Sequence, residues 1–139
     1  MAKAIQTQVV KRCKSRDKCQ TVIGRHVYGN LYGINPAVIS NLDFIAETVV
    51  NAAIAGKMHI LELIKRKFDA KDSPDRSGVS VIALIEESHI SVHTWPESSY
   101  ATVDIYSCGS EANPDTAFSY ILEKLKPKEY KRYYADRST

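Results

Sequence analysis

From Val79 to Ile85 the chain is apolar at every position except Ser80. A run of this length is a strand that must be buried, and its lack of alternation predicts cover on both faces, by helices on one and by a partner subunit on the other. The sequence directly after it is chemically dense. Glu86-Glu87-Ser88-His89-Ile90-Ser91-Val92-His93-Thr94-Trp95-Pro96-Glu97 places hydroxyls, two imidazoles and three carboxylates where the buried strand ends.

The flanking segments support such a sheet. Val22 to Ile34 is rich in β-branched and aromatic residues but broken by Gly24, Gly29 and Gly33, which predicts a strand with close backbone approaches. Ser40 three residues before Asp43 resembles a capping box, and Leu42, Ile45, Ala46, Val49, Ala52 and Ala53 predict one helical face over 41–55, closed by Gly56. Met58 to Phe68 reads as a second strand, 70–78 as a polar loop, and Ile90 to Trp95 and Tyr100 to Ser107 as further strands. In the last of these Ala101, Val103 and Ile105 share a face, opposite Thr102, Asp104, Tyr106 and Cys108. Asn113-Pro114 is an N-cap and N1 pair for a helix with Ala117, Phe118, Ile121, Leu122 and Leu125 inward, ending at Pro127, and a last strand spans 129–135. Two helices among six strands with hairpin-length connections predict an α+β fold: a two-layer sandwich, an antiparallel sheet with helices on one face.

At 139 residues the chain is sized for one domain. No apolar run approaches the roughly 20 residues that span a bilayer, and the first residues lack the apolar core of a signal peptide, so a cytoplasmic protein without a membrane partner is expected. The net charge of +3 conceals an asymmetry. Lys3, Lys11, Arg12, Lys14, Arg16, Lys18 and Arg25 face a single acid, Asp17, in residues 1–26, while the remainder is mildly acidic and suits a cationic ligand. Residues 1–22 read as a solvated basic arm, with nucleic acid an unlikely partner; a non-catalytic RNA-binding module is the reading in which that arm is the functional element. Three cysteines, Cys13, Cys19 and Cys108, are an odd number and argue against a disulfide framework. Cys13 and Cys19, with His26 nearby, lack the ligands of a structural zinc site, and a Cys13–Cys19 disulfide remains open.

His89 and His93 have the spacing of a helical zinc pair, but Ile90, Ser91 and Val92 between them favour a strand, on which four residues span about 13 Å. No metal is therefore expected. Ser88 or Ser91 with His93 and Asp104 is open to a Ser-His-Asp hydrolase reading, although the Gly-x-Ser-x-Gly elbow is absent. A purely structural role, with these groups hydrogen-bonded at strand ends, stands beside it.

The stretch Glu87 to Glu97, followed by Tyr100-Ala101-Thr102-Val103-Asp104-Ile105-Tyr106-Ser107-Cys108-Gly109 and the Asn-Pro helix, closely resembles the core of the prokaryotic S-adenosylmethionine decarboxylase family over about residues 23–138. The resemblance implies a pyruvoyl enzyme that cuts itself between Glu87 and Ser88, giving a β chain of residues 1–87 and an α chain of residues 88–139. Ser88 would be the precursor of the pyruvoyl group and of its Schiff-base carbon. His93 would be the proton acceptor in processing, supported by Ser80, and Cys108 the proton donor in catalysis, a role for which a buried thiol stays protonated. Trp95, Glu97 and Phe68 would line the substrate pocket, and the family's assemblies imply a homo-oligomer of cleaved αβ protomers.

Within the family the first strand departs from the usual pattern, since Asn30 stands where an acid commonly follows the Gly24-Arg25-His26 segment. With the N-terminal arm and the ending Tyr133-Tyr134-Ala135-Asp136-Arg137-Ser138, this resembles the archaeal branch that decarboxylates arginine to agmatine in polyamine biosynthesis. S-adenosylmethionine decarboxylation, supplying aminopropyl groups for spermidine, is the alternative. Both substrates are cations, and the carboxylate that would grip a guanidinium is not identifiable from the sequence.

Overall fold

The computed structural model describes residues 21–69, 71 and 77–139. The basic arm, Cys13, Cys19 and most of the loop after Phe68 lie outside the described residues.

Six strands form one sheet: β1 (Gly24–Tyr32), β2 (Ile60–Lys67), β3 (Val79–Ile85), β4 (Ser88–Trp95), β5 (Tyr100–Cys108) and β6 (Glu129–Asp136). Their order is β2-β3-β4-β5-β1-β6, and every neighbouring pair is antiparallel. Helices α1 (Pro36–Ile39), α2 (Leu42–Ala55) and α3 (Pro114–Leu125) cover one face, α2 against β2, β3 and β4 and α3 against β1 and β5. The core is the layer between them, with Val27, Leu31, Val81, Ala83, Ile90, Val92, Val103 and Ile105 of the sheet meeting Ile45, Val49, Ala52, Phe118 and Ile121 of the helices. The fold is thus the two-layer α+β sandwich expected from the sequence.

The caps explain where the helices begin. Asn113 accepts from the Thr116 N–H at 3.0 Å with Pro114 at the first helical position, as its sequence predicts. The start of α2 differs from expectation: Asn41, rather than Ser40, accepts the Phe44 N–H at 3.0 Å. Ser40 instead closes the short helix α1, its hydroxyl donating to the Pro36 carbonyl. Helix α1 was not expected at all, being a single turn opened by Asn35 and Pro36.

Among the described residues the second sheet face carries no helix. A row runs across it from Ile64 through Ile82, Ser91, Asp104 and Tyr28 to Tyr133. Ile64, Ile82 and Leu84 are 64%, 40% and 49% exposed, so the far side of β3, expected to be covered, is left open by the described elements. Among the described residues no helix is long and apolar enough to cross a membrane.

Candidate active site

The residues singled out in the sequence fall into two groups at opposite ends of β4. At the first end, Glu86 and Glu87 form the two-residue turn between β3 and β4, since Ile85 pairs with Ser88. Ser88 has φ +146°, a conformation that disfavours any side chain and stores strain at the Glu87–Ser88 peptide. The carbonyl of Glu87 accepts the backbone N–H of Cys108 at 2.7 Å, because Ser88 pairs with Ser107 and β5 ends beside the turn. Cys108 is half-buried and is a free thiol.

The Glu87 side chain is also held. One carboxylate oxygen accepts the His59 backbone N–H at 3.0 Å, the other the His59 ring Nδ1–H at 2.8 Å. The hydrogen bond to Glu87, and then its charge, raise the pKa of the His59 ring above its ordinary value. Burial, the largest single effect on Glu87, pushes its carboxyl up, but the His59 donors together hold it below its ordinary value. The contact is complete while both partners are charged. Its contribution is lost as pH rises through the raised His59 pKa and as pH falls through the lowered Glu87 pKa.

At the other end of β4, Phe68, Gly78, Ser80, His93, Thr94 and Trp95 line a pocket of about 300 Å³. Ser80 Oγ lies 2.7 Å from His93 Nδ1 across the β3–β4 pair. Thr94 is buried and its hydroxyl donates to the Ile39 carbonyl at 2.7 Å while accepting the Val79 N–H at 2.9 Å, which ties α1 to the pocket floor. Trp95 packs on Tyr100, 5.3 Å between ring centroids, and the Tyr100 hydroxyl donates to Asn30 Oδ1 at 3.1 Å. Burial, and then Tyr32, push that hydroxyl's pKa up. Glu97 lies exposed in the single 3-10 turn Pro96–Ser98 and does not line the pocket.

Gly78 makes the pocket possible, since a Cβ there would stand 1.8 Å from the Thr94 carbonyl oxygen. Gly78→Ala is expected to force β3 away from β4 and cost about 2 kcal/mol of stability, read as an earlier urea midpoint; an unchanged midpoint would show the approach to be slack.

Ser80, rather than Asp104, is the partner of His93. Asp104 is held on the open face between His26 Nε2 at 2.9 Å and His89 Nε2 at 3.1 Å, so the Ser-His-Asp hydrolase arrangement does not form. His59, Gly78 and the Cys108 N–H have no motif in the sequence and emerge only from the pairing of distant strands. Among the described residues one cluster offers metal-ligand atoms, His59 with Glu86 and Glu87 within 4.8 Å of one another, and the His59–Glu87 hydrogen bond already occupies two of them.

The fold and the Ser88–Cys108 motif together define a small α+β decarboxylase. A family model described as S-adenosylmethionine decarboxylase matches residues 25–138, and the chain belongs to that family. It is 47% identical over 118 residues to a protein of Hyperthermus butylicus called arginine decarboxylase proenzyme, covering 85% of this chain and 80% of that one. It also resembles the crystal structure of the adenosylmethionine decarboxylase from Aquifex aeolicus, with a TM-score of 0.74 and 31% identity, covering 84% of this chain and 91% of the other.

Proposed function

We propose that the chain is the proenzyme of a cytoplasmic, pyruvoyl-dependent arginine decarboxylase of polyamine biosynthesis, with residues 23–139 as the catalytic domain and 1–22 as a basic arm. The name of the Hyperthermus relative supports the substrate. The observation that carries self-cleavage is the Cys108 N–H set against the Glu87 carbonyl, beside a strained Ser88. Ser88 Oγ attacks that carbonyl, the C–N bond breaks, and the amide becomes an ester with a free amine on residue 88. The Cys108 N–H stabilises the oxyanion, and the shift relieves the strain. Removal of the Cα proton of residue 88 then expels the Glu87 carboxylate by breaking the Cβ–O bond. The dehydroalanine takes up water and loses ammonia, leaving a pyruvoyl group at the head of the α chain, residues 88–139, and Glu87 at the end of the β chain, residues 1–87.

The residues around Ser88 fit such a group, which supplies a ketone for the substrate amine and an electron sink as CO2 departs. Cys108, at the end of β5 beside residue 88, is placed to return a proton to the substrate carbon. Phe68 and Trp95, at the His93 end of β4, flank the substrate from a second copy of the chain, and Glu97 stays exposed outside that pocket.

The base for processing needs a second copy. Ser88 and His93 are five residues apart on one strand, about 16 Å, too far for proton transfer within a chain. A copy packed on the open face with its strands reversed, about a two-fold axis at right angles to them near the level of Ile82, Ser91 and Asp104, lays its His93 end over the Ser88 end. Exposed Ile64, Ile82 and Leu84 give that face its apolar character. In the tautomer that donates Nδ1–H to Ser80, His93 Nε2 is the free base. The active form is thus a homo-oligomer with sites shared between protomers.

The second substrate reading, S-adenosylmethionine, is favoured by the name of the Aquifex protein and by Phe68 and Trp95, which offer aromatic faces to an adenine. Purified cleaved protein is given each substrate separately and released CO2 is followed. Arginine is expected to be preferred by about a hundredfold in kcat/KM. Preference for S-adenosylmethionine replaces the arginine reading, and release from neither sinks the enzyme reading.

A further inference from the structure

We propose that His59 is a positioning residue for self-cleavage: it clamps the Glu87 carboxylate and so holds the scissile carbonyl on the Cys108 N–H. The proposal rests on Glu87–Ser88 being the bond that is cut.

Three contacts join His59 to the turn. Its carbonyl accepts the Glu86 N–H at 2.9 Å, its N–H reaches one Glu87 carboxylate oxygen at 3.0 Å, and its ring reaches the other at 2.8 Å. They exist because β2 slips register by one residue at Leu61: Ile60 pairs with Ile85 while Glu62 pairs with Leu84. The bulge sets His59 opposite the turn instead of leaving it beyond the strand end, a re-aiming that bulges often perform near active sites.

The clamp acts on the reacting carbonyl through covalent geometry. Glu87 belongs to a two-residue turn, and its carboxylate on His59, together with the Glu86 N–H on the His59 carbonyl, narrows the orientations open to that turn and its carbonyl. The carboxylate side chain is only 15% exposed, whereas the His59 side chain that holds it is 70% exposed. A carboxylate withdrawn from water to that degree needs its donors. Without the ring only the backbone N–H of residue 59 still holds the carboxylate, the turn gains freedom to rotate, and the carbonyl spends less time on the Cys108 N–H. Two strands not adjacent to each other, β2 and β5, therefore grip one residue from opposite sides. The His59 ring is not in the core, so removing it spares the hydrophobic layer that holds the fold.

The test follows newly translated full-length chain into its fragments by gel and mass. The wild-type fragments are expected to be 1–87 and 88–139; other masses sink the cut-site reading and leave His59 out of the question. With those masses established, His59→Ala is expected to slow cleavage about ten- to hundredfold through misplacement of the carbonyl. His59→Asn, whose amide donates from nearly the position of Nδ1, is expected to restore the rate to within about threefold. Since His59 acts through Glu87, His59→Ala combined with Glu87→Gln is expected to be no slower than the slower single variant. Cleavage of His59→Ala at the wild-type rate, an Asn variant as slow as the Ala variant, or additive losses in the pair would overturn the proposal. If His59→Ala fails to fold, the comparison of His59→Asn, Glu87→Gln and their combination carries the same test.

Discussion

Ser88→Ala is expected to leave one uncut chain of 139 residues, with no reactive carbonyl and no decarboxylation. The variant folds, because Ser88 opens β4 on a turn and lies outside the core cluster. The methyl group still occupies the strained φ but has no oxygen to attack the Glu87 carbonyl, so the strain has no outlet. Losing covalent catalysis altogether should cost at least about 10⁶-fold in rate. A denaturing gel showing two fragments from the alanine variant, or CO2 release from it, would remove Ser88 from the mechanism.

Mixing two inactive chains should restore one working site. A Ser88→Ala chain keeps its His93, and a His93→Ala chain keeps its Ser88. Each alone assembles only with copies of itself and stays uncut. In a mixed pair the Ser88 of one chain faces the His93 of the other, so the His93→Ala chain should be cut and the Ser88→Ala chain should not. About half of the pairs formed from equal amounts are mixed by random assortment, each with one competent site of two, so about a quarter of wild-type activity is expected. If His93 served its own chain, no mixture would recover. The prediction follows from strand rise alone, because residues 88 and 93 cannot share a reacting atom on one straight strand.

The parts of this molecule that obey local rules were legible in its sequence. Asn113-Pro114, the alternation of Ala101, Val103 and Ile105, and the apolar face of α2 each state a period or a cap within a few residues, and each appears where expected. The cap of α2 moved by one residue because two polar side chains stood in succession, and the single-turn helix before it took Ser40 for its own end. The site was legible as a set of residues but not as an arrangement. Ser80, Ser88, His93 and Cys108 stand out by resemblance, whereas the distance between Ser88 and His93 depends on β4 being one unbroken strand. His59 carries no signal, since its meaning comes from a bulge beside it and a turn residue 28 positions away. The cover expected over β3 is an inference about a surface that one chain does not finish.

The strand order has a mechanical consequence for the proposed self-cleavage. Division at Glu87–Ser88 would assign β1, β2 and β3 to one product and β4, β5 and β6 to the other. In the order β2-β3-β4-β5-β1-β6, the first strand of one product lies threaded between two strands of its fellow. Separating them means unzipping β3 from β4 and pulling β1 from both β5 and β6, so the fragments are interlaced like clasped fingers. Such a cut would change connectivity without loosening the body, but it would be a one-way door. A single chain brings its strands together at a rate independent of concentration, whereas two separated pieces would have to find each other and rethread a central strand. Folding has to be finished before the bond is broken, and a cut that needs a second folded copy comes only after that.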